Sequence, residues 1–284
     1  MSSITTQKQQ YLTYILTDGD AQVAVVPERG GIVTSWQVND KEMLYMDTER
    51  FKDASLSVRG GIPLLFPICG NIVDDTYTLE GETYTLVQHG FGRTLPWEVT
   101  QKSTDNGASI TLTLTSSDET WAVYPFEFQL DYIYTLKGNT LEQRFRHTNL
   151  SDEEPMPFST GTHPYFVVAD KTKLSFEIPS TEYKVKEGKK VYTFDGQFDF
   201  SQDEIDVAFI NLEDQEATVK NGDSTLTLSF DENYSTLVFW TVKGKDFYCL
   251  EPWSGPRNAM NTGDFLLSAA PQETVETVIS MTVS

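Results

Sequence analysis

The feature that most constrains this chain is a two-residue rhythm of apolar side chains that returns along most of its length. Ile110, Leu112 and Leu114 alternate with threonines, and Phe128, Leu130, Tyr132, Tyr134 and Leu136 form a longer run of the same kind. Leu226, Leu228 and Phe230 alternate with Thr225, Thr227 and Ser229, and Val275, Thr277, Ile279, Met281 and Val283 fall on one face near the C-terminus. Successive side chains of a strand point to opposite faces of a sheet, so this rhythm describes strands with one dry face and one wet one. Asn106-Gly107, Lys137-Gly138-Asn139 and Asn221-Gly222 lie between runs and supply turns. No stretch keeps a helical period over about twelve residues, and only Ser117 to Val123 reads as a short helix. The expected class is all-β, with antiparallel sheets packed as a large sandwich. With no linker, repeat or low-complexity segment in view, one domain over residues 1–284 is expected.

Charge and cysteine usage narrow the partners. Lys and Arg number 21 against 42 Asp and Glu, a net charge of -21. That balance argues against nucleic acid and anionic membrane surfaces. An anionic small substrate would need a local cluster of arginines. Cys69 and Cys249 are too few and too unpatterned for a disulfide framework or a zinc site, which suits a reducing compartment. Residues 1–20 carry no basic-then-apolar leader, and no apolar run is long enough for a membrane helix, so a cytoplasmic protein is expected. No metal-ligand spacing, phosphate loop, dinucleotide fingerprint or Gly-x-Ser-x-Gly is present.

Several segments do not read as ordinary strands. Thr160 to Val168 contains His163 followed by Pro164. Proline removes a ladder donor and pushes its predecessor out of the helical region, so His163 should hold a fixed place at a strand-to-turn junction. Val26–Ile32 places a glycine pair after an arginine. Val58–Asn71 mixes Arg59 with glycines and prolines among apolar residues. Gln88–Trp97 combines His89 and Arg93 with two glycines and two aromatics. Cys249–Pro256 ends an apolar run in Glu251. Rigid loops of this composition at sheet edges are typical of binding sites, and are also used as plain connections.

Each candidate residue has two readings at this level. A lone histidine in a β-rich chain is more often packed in the core than catalytic, and this holds for His163 and His89. His147 has no glycine or proline around it and reads as a surface or satisfied strand histidine. Glu251, near the end of a buried strand, is either a structural acid or a desolvated carboxyl suited to general base chemistry. Arg59 and Arg93 stand beside glycines, where a guanidinium fork can reach hydroxyls, carboxylates or phosphate, or pair with one of the many acids. Phe91, Trp97, Tyr165 and Trp253 are candidates to stack on a sugar ring, although most aromatics end in the core.

Taken together, these segments resemble the aldose 1-epimerase (galactose mutarotase-like) family from about Val25 to the C-terminus. The matching pieces are Pro27 to Gly31 with Trp36, Arg59 to Pro67, His89 to Arg93 with Pro96-Trp97, and Thr162 to Phe166. Asp206 to Phe209 and Glu251 to Trp253 follow, then Asn261 to Asp264 and Pro271 to Thr274. The resemblance implies a large antiparallel β-supersandwich that interconverts the α and β anomers of an aldose without metal or organic cofactor. It implies His163 as general acid, Glu251 as general base, and His89 as a second histidine that binds the sugar. Arg59 and Arg93 match arginines of the hexose-6-phosphate branch, and Asp206 a hydroxyl-binding acid. The acid and base are expected on opposite sides of the hemiacetal, as a protonated imidazole and an ionised carboxylate. The implied partner is a sugar or sugar phosphate, bound by a monomer or homodimer. A non-catalytic sugar-binding protein on the same fold, or a sugar-processing enzyme of another type, would carry many of the same residues.

Overall fold

The computed structural model describes every residue except Glu187 and Lys189. Strands take 51% of the chain and helices 8%, so the architecture is all-β. Five antiparallel strands from Ser3–Lys8 to Lys41–Glu42 form the N-terminal sheet in sequence order. An eight-stranded sheet follows, in the spatial order Leu174–Glu177, Glu216–Asn221, Ser224–Phe230, Thr274–Val283, Thr140–Asn149, Phe128–Lys137, Ala108–Thr115 and Glu98–Ser103. The second eight-stranded sheet is centred on Thr236–Val242 and Phe247–Trp253.

The two-residue rhythm is what builds the core. Along Phe128–Lys137 the two faces separate cleanly: Phe128, Leu130, Tyr132, Tyr134 and Leu136 are fully buried, while Gln129, Asp131 and Thr135 face outward. Across the register Tyr132 meets Phe145, with ring centroids 4.4 Å apart. Each such buried apolar side chain contributes about 1.5–3 kcal/mol relative to exposure. The outer face is laced by hydroxyls and acids, as where Thr113 donates to Asp131 at 2.6 Å. His147 sits inside this sheet with no exposure, its Nε2 3.2 Å from the Tyr132 hydroxyl. It is a satisfied strand histidine.

Turns fall at glycines of the sequence. Lys137 pairs with Thr140, leaving Gly138 and Asn139 as a two-residue hairpin with Gly138 at φ 53°. The short helix is Asp118–Trp121, capped by Ser117 and Thr120 in a reciprocal capping box. Two further one-turn helices, Thr48–Lys52 and Ala259–Thr262, were not expected. A single turn is too short to show a 3.6-residue period. Among the described residues no helix is long and apolar enough to cross a membrane.

The strand Phe247–Trp253 places the site. On one side it pairs with Thr236–Val242. On the other it pairs with two short strands, Gly161–Thr162 and Tyr165–Val167. The gap between them is His163-Pro164. Pro164 has no N–H to give, and the His163 N–H turns to the Pro63 carbonyl at 3.0 Å. Gly161 stands opposite Trp253 and Tyr165 opposite Cys249. By the same register His163 stands opposite Glu251.

Candidate active site

Directly opposed residues in a sheet share a face. Asp206 opposes Trp240, Trp240 opposes Cys249, and Val238 opposes Glu251. His163 and Tyr165 extend these rows. One face of the second sheet thereby becomes the floor of a cleft of about 190 Å³, floored by Asp206, Val238, Trp240, Glu251, His163 and Tyr165. Its rim comes from four loops, which bring Arg59, His89 with Arg93, Lys186, and Arg257.

The rim is held by close backbone packing. The Phe91 and Gly92 N–H groups both donate to the Phe66 carbonyl, at 3.0 and 3.1 Å, and the His89 N–H donates to Gly70 at 2.7 Å. Gly30 has φ 77°, and a Cβ there would lie 2.0 Å from the Arg93 carbonyl oxygen. Only glycine allows that approach, so the Pro27–Gly31 motif serves to seat the Arg93 loop. Arg29 does not reach the cleft. It is buried and donates to the carbonyls of Asp53, Ala54 and Leu56, which steadies the segment leading to Arg59.

At the centre His163 Nε2 lies 3.4 Å from Glu251 Oε1. Both side chains are almost wholly buried, His163 8% and Glu251 1% exposed. The His163 ring stacks on Tyr165, centroids 4.7 Å apart and 8° from parallel. Trp253 Nε1 donates to Glu251 Oε2 at 3.1 Å. Burial, seconded by the nearby Asp206, raises the Glu251 carboxyl well above its usual range. Burial, seconded by Arg93, pulls His163 down to about 3. Burial thus works against the charged form of both groups. This runs against the expected protonated imidazole and ionised carboxylate. It also corrects the expected placement, because the two groups stand side by side on one wall.

His89 is buried at φ 67°, and its Nδ1 accepts the Gly70 N–H at 3.0 Å. Its proton is thereby assigned to Nε2, and burial followed by Arg93 keeps the ring neutral. His89 meets His163 edge to face at 5.5 Å. Arg93 donates to the Gln88 carbonyl at 2.9 Å, and its buried Nε has no partner. Arg59 is exposed at the cleft mouth. Neither Arg59 nor Arg93 is ion-paired among the described residues. Asp206 lies in the cleft and accepts from Arg257 at 2.7 Å, with Lys186 3.8 Å from its other oxygen.

The structure thus brings all six expected residues to one cleft. Of the four aromatic candidates, Tyr165 and Trp253 line it. Phe91 and Trp97 belong to the core, Trp97 packed on Tyr132 with centroids 4.6 Å apart. Sequence reasoning missed Arg257, whose guanidinium lies 5.0 Å from the Trp253 ring, together with Lys186, Glu204 and Trp240. Glu204 accepts from Trp240 Nε1 at 2.6 Å. Gly70 packs closely against Arg257, where a Cβ would meet the arginine side chain at 2.5 Å, a contact no local sequence pattern announces. For metal binding, His163, Cys249 and Glu251 offer three buried donor atoms within 4.8 Å of one another.

The comparisons with known proteins give the family and the fold. The family model described as Aldose 1-epimerase matches residues 13–282. Protein LacX (chromosomal) of Lactococcus lactis subsp. lactis is 26% identical over 94% of this chain and 92% of its own length. A protein of Escherichia coli K12 named "Putative glucose-6-phosphate 1-epimerase" is 26% identical over 73% of this chain and 67% of its own. The crystal structure of the Slr1438 protein from Synechocystis sp. PCC 6803 superposes with a TM-score of 0.94 at 43% identity, over 100% of this chain and 99% of that one. A galactose mutarotase-like protein from Clostridium acetobutylicum shares the fold, with a TM-score of 0.85 at 20% identity and coverage of 100% and 98%. With a family model matched over nearly its whole length and a β-supersandwich fold in common, this chain belongs to the aldose 1-epimerase family.

Proposed function

We propose that the cleft interconverts the α and β anomers of an aldohexose 6-phosphate or similar anionic aldose, with His163 and Glu251 as the acid/base pair. The observation that carries the reading is the 3.4 Å contact between His163 Nε2 and Glu251 Oε1 on the floor of a cationic cleft. Ring opening of a hemiacetal needs a proton delivered to the ring oxygen and another removed from the C1 hydroxyl. Those two oxygens are bonded to the same carbon, so a donor and an acceptor that serve them can stand side by side.

A neutral pair has one carboxyl proton to give and one imidazole lone pair to accept with, which is what the reaction uses. In the opening step one member gives its proton to the ring oxygen and the other takes the proton of the C1 hydroxyl. The C1–C2 bond rotates in the open aldehyde. Closure on the other face runs the transfers in reverse and restores the pair. Glu251 and His163 alternate roles, and each positioned transfer is worth about 10²–10⁴-fold. His89 Nε2–H and Asp206 are suited to hold sugar hydroxyls or ring oxygens beside the pair.

The phosphate part of the reading is supported by the rim. Arg59, Arg93, Lys186 and Arg257 face Glu204, Asp206 and a neutral Glu251, so the cleft is locally positive in a protein of net charge -21. Long-range repulsion is screened beyond about 8 Å at physiological salt. Relatives that carry the glucose-6-phosphate 1-epimerase name support the same assignment. Polarimetry on freshly dissolved α-glucose 6-phosphate, α-glucose and α-galactose tests it. The proposal expects faster mutarotation of the phosphate ester. Acceleration of the free sugars alone would remove the phosphate assignment, and acceleration of none would remove the catalytic one.

A further inference from the structure

The acid/base pair has a third neighbour that the proton chemistry does not use. Cys249 precedes Glu251 by two residues on the same strand and so shares its face, and it stands opposite Tyr165, one step along the register from His163. The nitrogen of His163, the sulfur of Cys249 and the oxygen of Glu251 lie within 4.8 Å of one another, and all three side chains are buried.

A tetrahedral zinc ion holds N and O donors at about 2.0 Å and S at about 2.3 Å, which sets the donors roughly 3.3–3.6 Å apart. The Nε2–Oε1 separation of 3.4 Å already meets this. The thiol lies within 4.8 Å of a His163 ring nitrogen and a Glu251 carboxylate oxygen, so it has to close by about 1 Å to complete the set. One imidazole, one thiolate and one carboxylate select borderline-soft cations over magnesium or calcium, which take oxygen shells.

We propose that His163, Cys249 and Glu251 form a three-point site for a thiophilic divalent cation of the zinc class, and that occupancy blocks the acid/base pair. The ion replaces protons and involves no redox change. On binding, the Cys249 thiol and the Glu251 carboxyl each release a proton to solvent, and His163 Nε2 gives its lone pair to the metal. The loaded site is neutral overall, so no net charge is buried, and the cationic rim does not oppose it strongly. The fourth tetrahedral position is left for water or a sugar oxygen. The metal binding stands on donor geometry alone, while the blocking rests on the function proposed above.

The test titrates the intact protein with zinc chloride by calorimetry and with cobalt(II) chloride by absorption. One zinc per chain and a cobalt–thiolate charge-transfer band, both reversed by a chelator, are expected. Cys249→Ala should lose the band and bind zinc more than about 10-fold more weakly, since even outer partners of a metal site are worth 10–100-fold. Its metal-free anomerisation should stay at the wild-type rate. Cys249→Ser gives the same comparison if the alanine cavity unfolds the chain, and Cys69→Ala should keep both signals. No binding at one per chain, no thiolate band, or undiminished affinity in the Cys249 variants overturns the site. Binding without loss of anomerisation overturns the blocking. Absence of anomerisation under every condition would instead overturn the proposed function and leave the calorimetric result to decide the site.

Discussion

Replacing Glu251 with glutamine should remove catalysis while stabilising the fold, and the gain should grow with pH. Glu251 is 1% exposed, and its carboxyl is pushed up by burial and by Asp206. In the unfolded chain it ionises near the ordinary value of 4.5, whereas in the fold burial pushes it well above that. A group whose folded pKa is raised contributes fully below the unfolded value and loses that contribution as pH rises toward the folded one. The loss is about 1.4 kcal/mol for each pH unit. Glutamine is neutral throughout and escapes it. It also copies the shape of the neutral acid: its carbonyl can accept from Trp253 Nε1, and its amide can donate to His163 Nε2. Thermal melts of both proteins from pH 4.5 to about pH 8 should diverge by roughly 3–5 °C per pH unit until Glu251 titrates in the fold. His163→Ala should behave oppositely. His163 is held down to about 3 from 6.5, so the wild type carries a penalty that grows as pH falls below 6.5, and the variant sheds it. A stability difference between wild type and Glu251→Gln that stays constant with pH would mean an ionised Glu251 paired with a protonated His163. It would refute the neutral pair.

The rim and its seating give two further expectations. Arg93→Ala and Arg59→Ala should raise KM for a phosphorylated hexose well above any change for the free sugar, each lost charge-assisted contact costing about 1.5–3 kcal/mol. Equal effects on both sugars would argue against a phosphate role. Gly30→Ala should destabilise the fold by more than about 2 kcal/mol, because it adds a Cβ against the Arg93 carbonyl at a left-handed φ. A chemical denaturation midpoint equal to that of the wild type would contradict the close approach.

The all-β class was legible in the sequence because a strand writes its two faces locally. Phe128 to Leu136 shows this. The His163-Pro164 dipeptide also announced its place in the backbone, since a proline inside a strand run must interrupt a ladder. What was not legible is the pairing across long separations. His163 stands opposite Glu251 only because Gly161 and Tyr165 flank it on a strand that shares the ladder of Phe247–Trp253. No local pattern encodes that register. The neutral state of the pair depends on the same assembly, because burial by distant segments sets it. Arg257 and Lys186 were hidden for a related reason. Each sits in unremarkable sequence, and the cleft recruits it through Asp206. Phe91 and Trp97 erred the other way: they accompany Arg93 in sequence but turn inward behind its loop.

The measurement closest to the central claim is exchange NMR between the two anomeric protons of glucose 6-phosphate at neutral pH. Wild-type protein should exchange them far faster than buffer. Glu251→Gln and His163→Ala, each folded with wild-type strand content, should slow exchange by about 10²–10⁴-fold. Exchange no faster than buffer for the phosphate ester and for free glucose and galactose would contradict the account, as would an undiminished rate in Glu251→Gln.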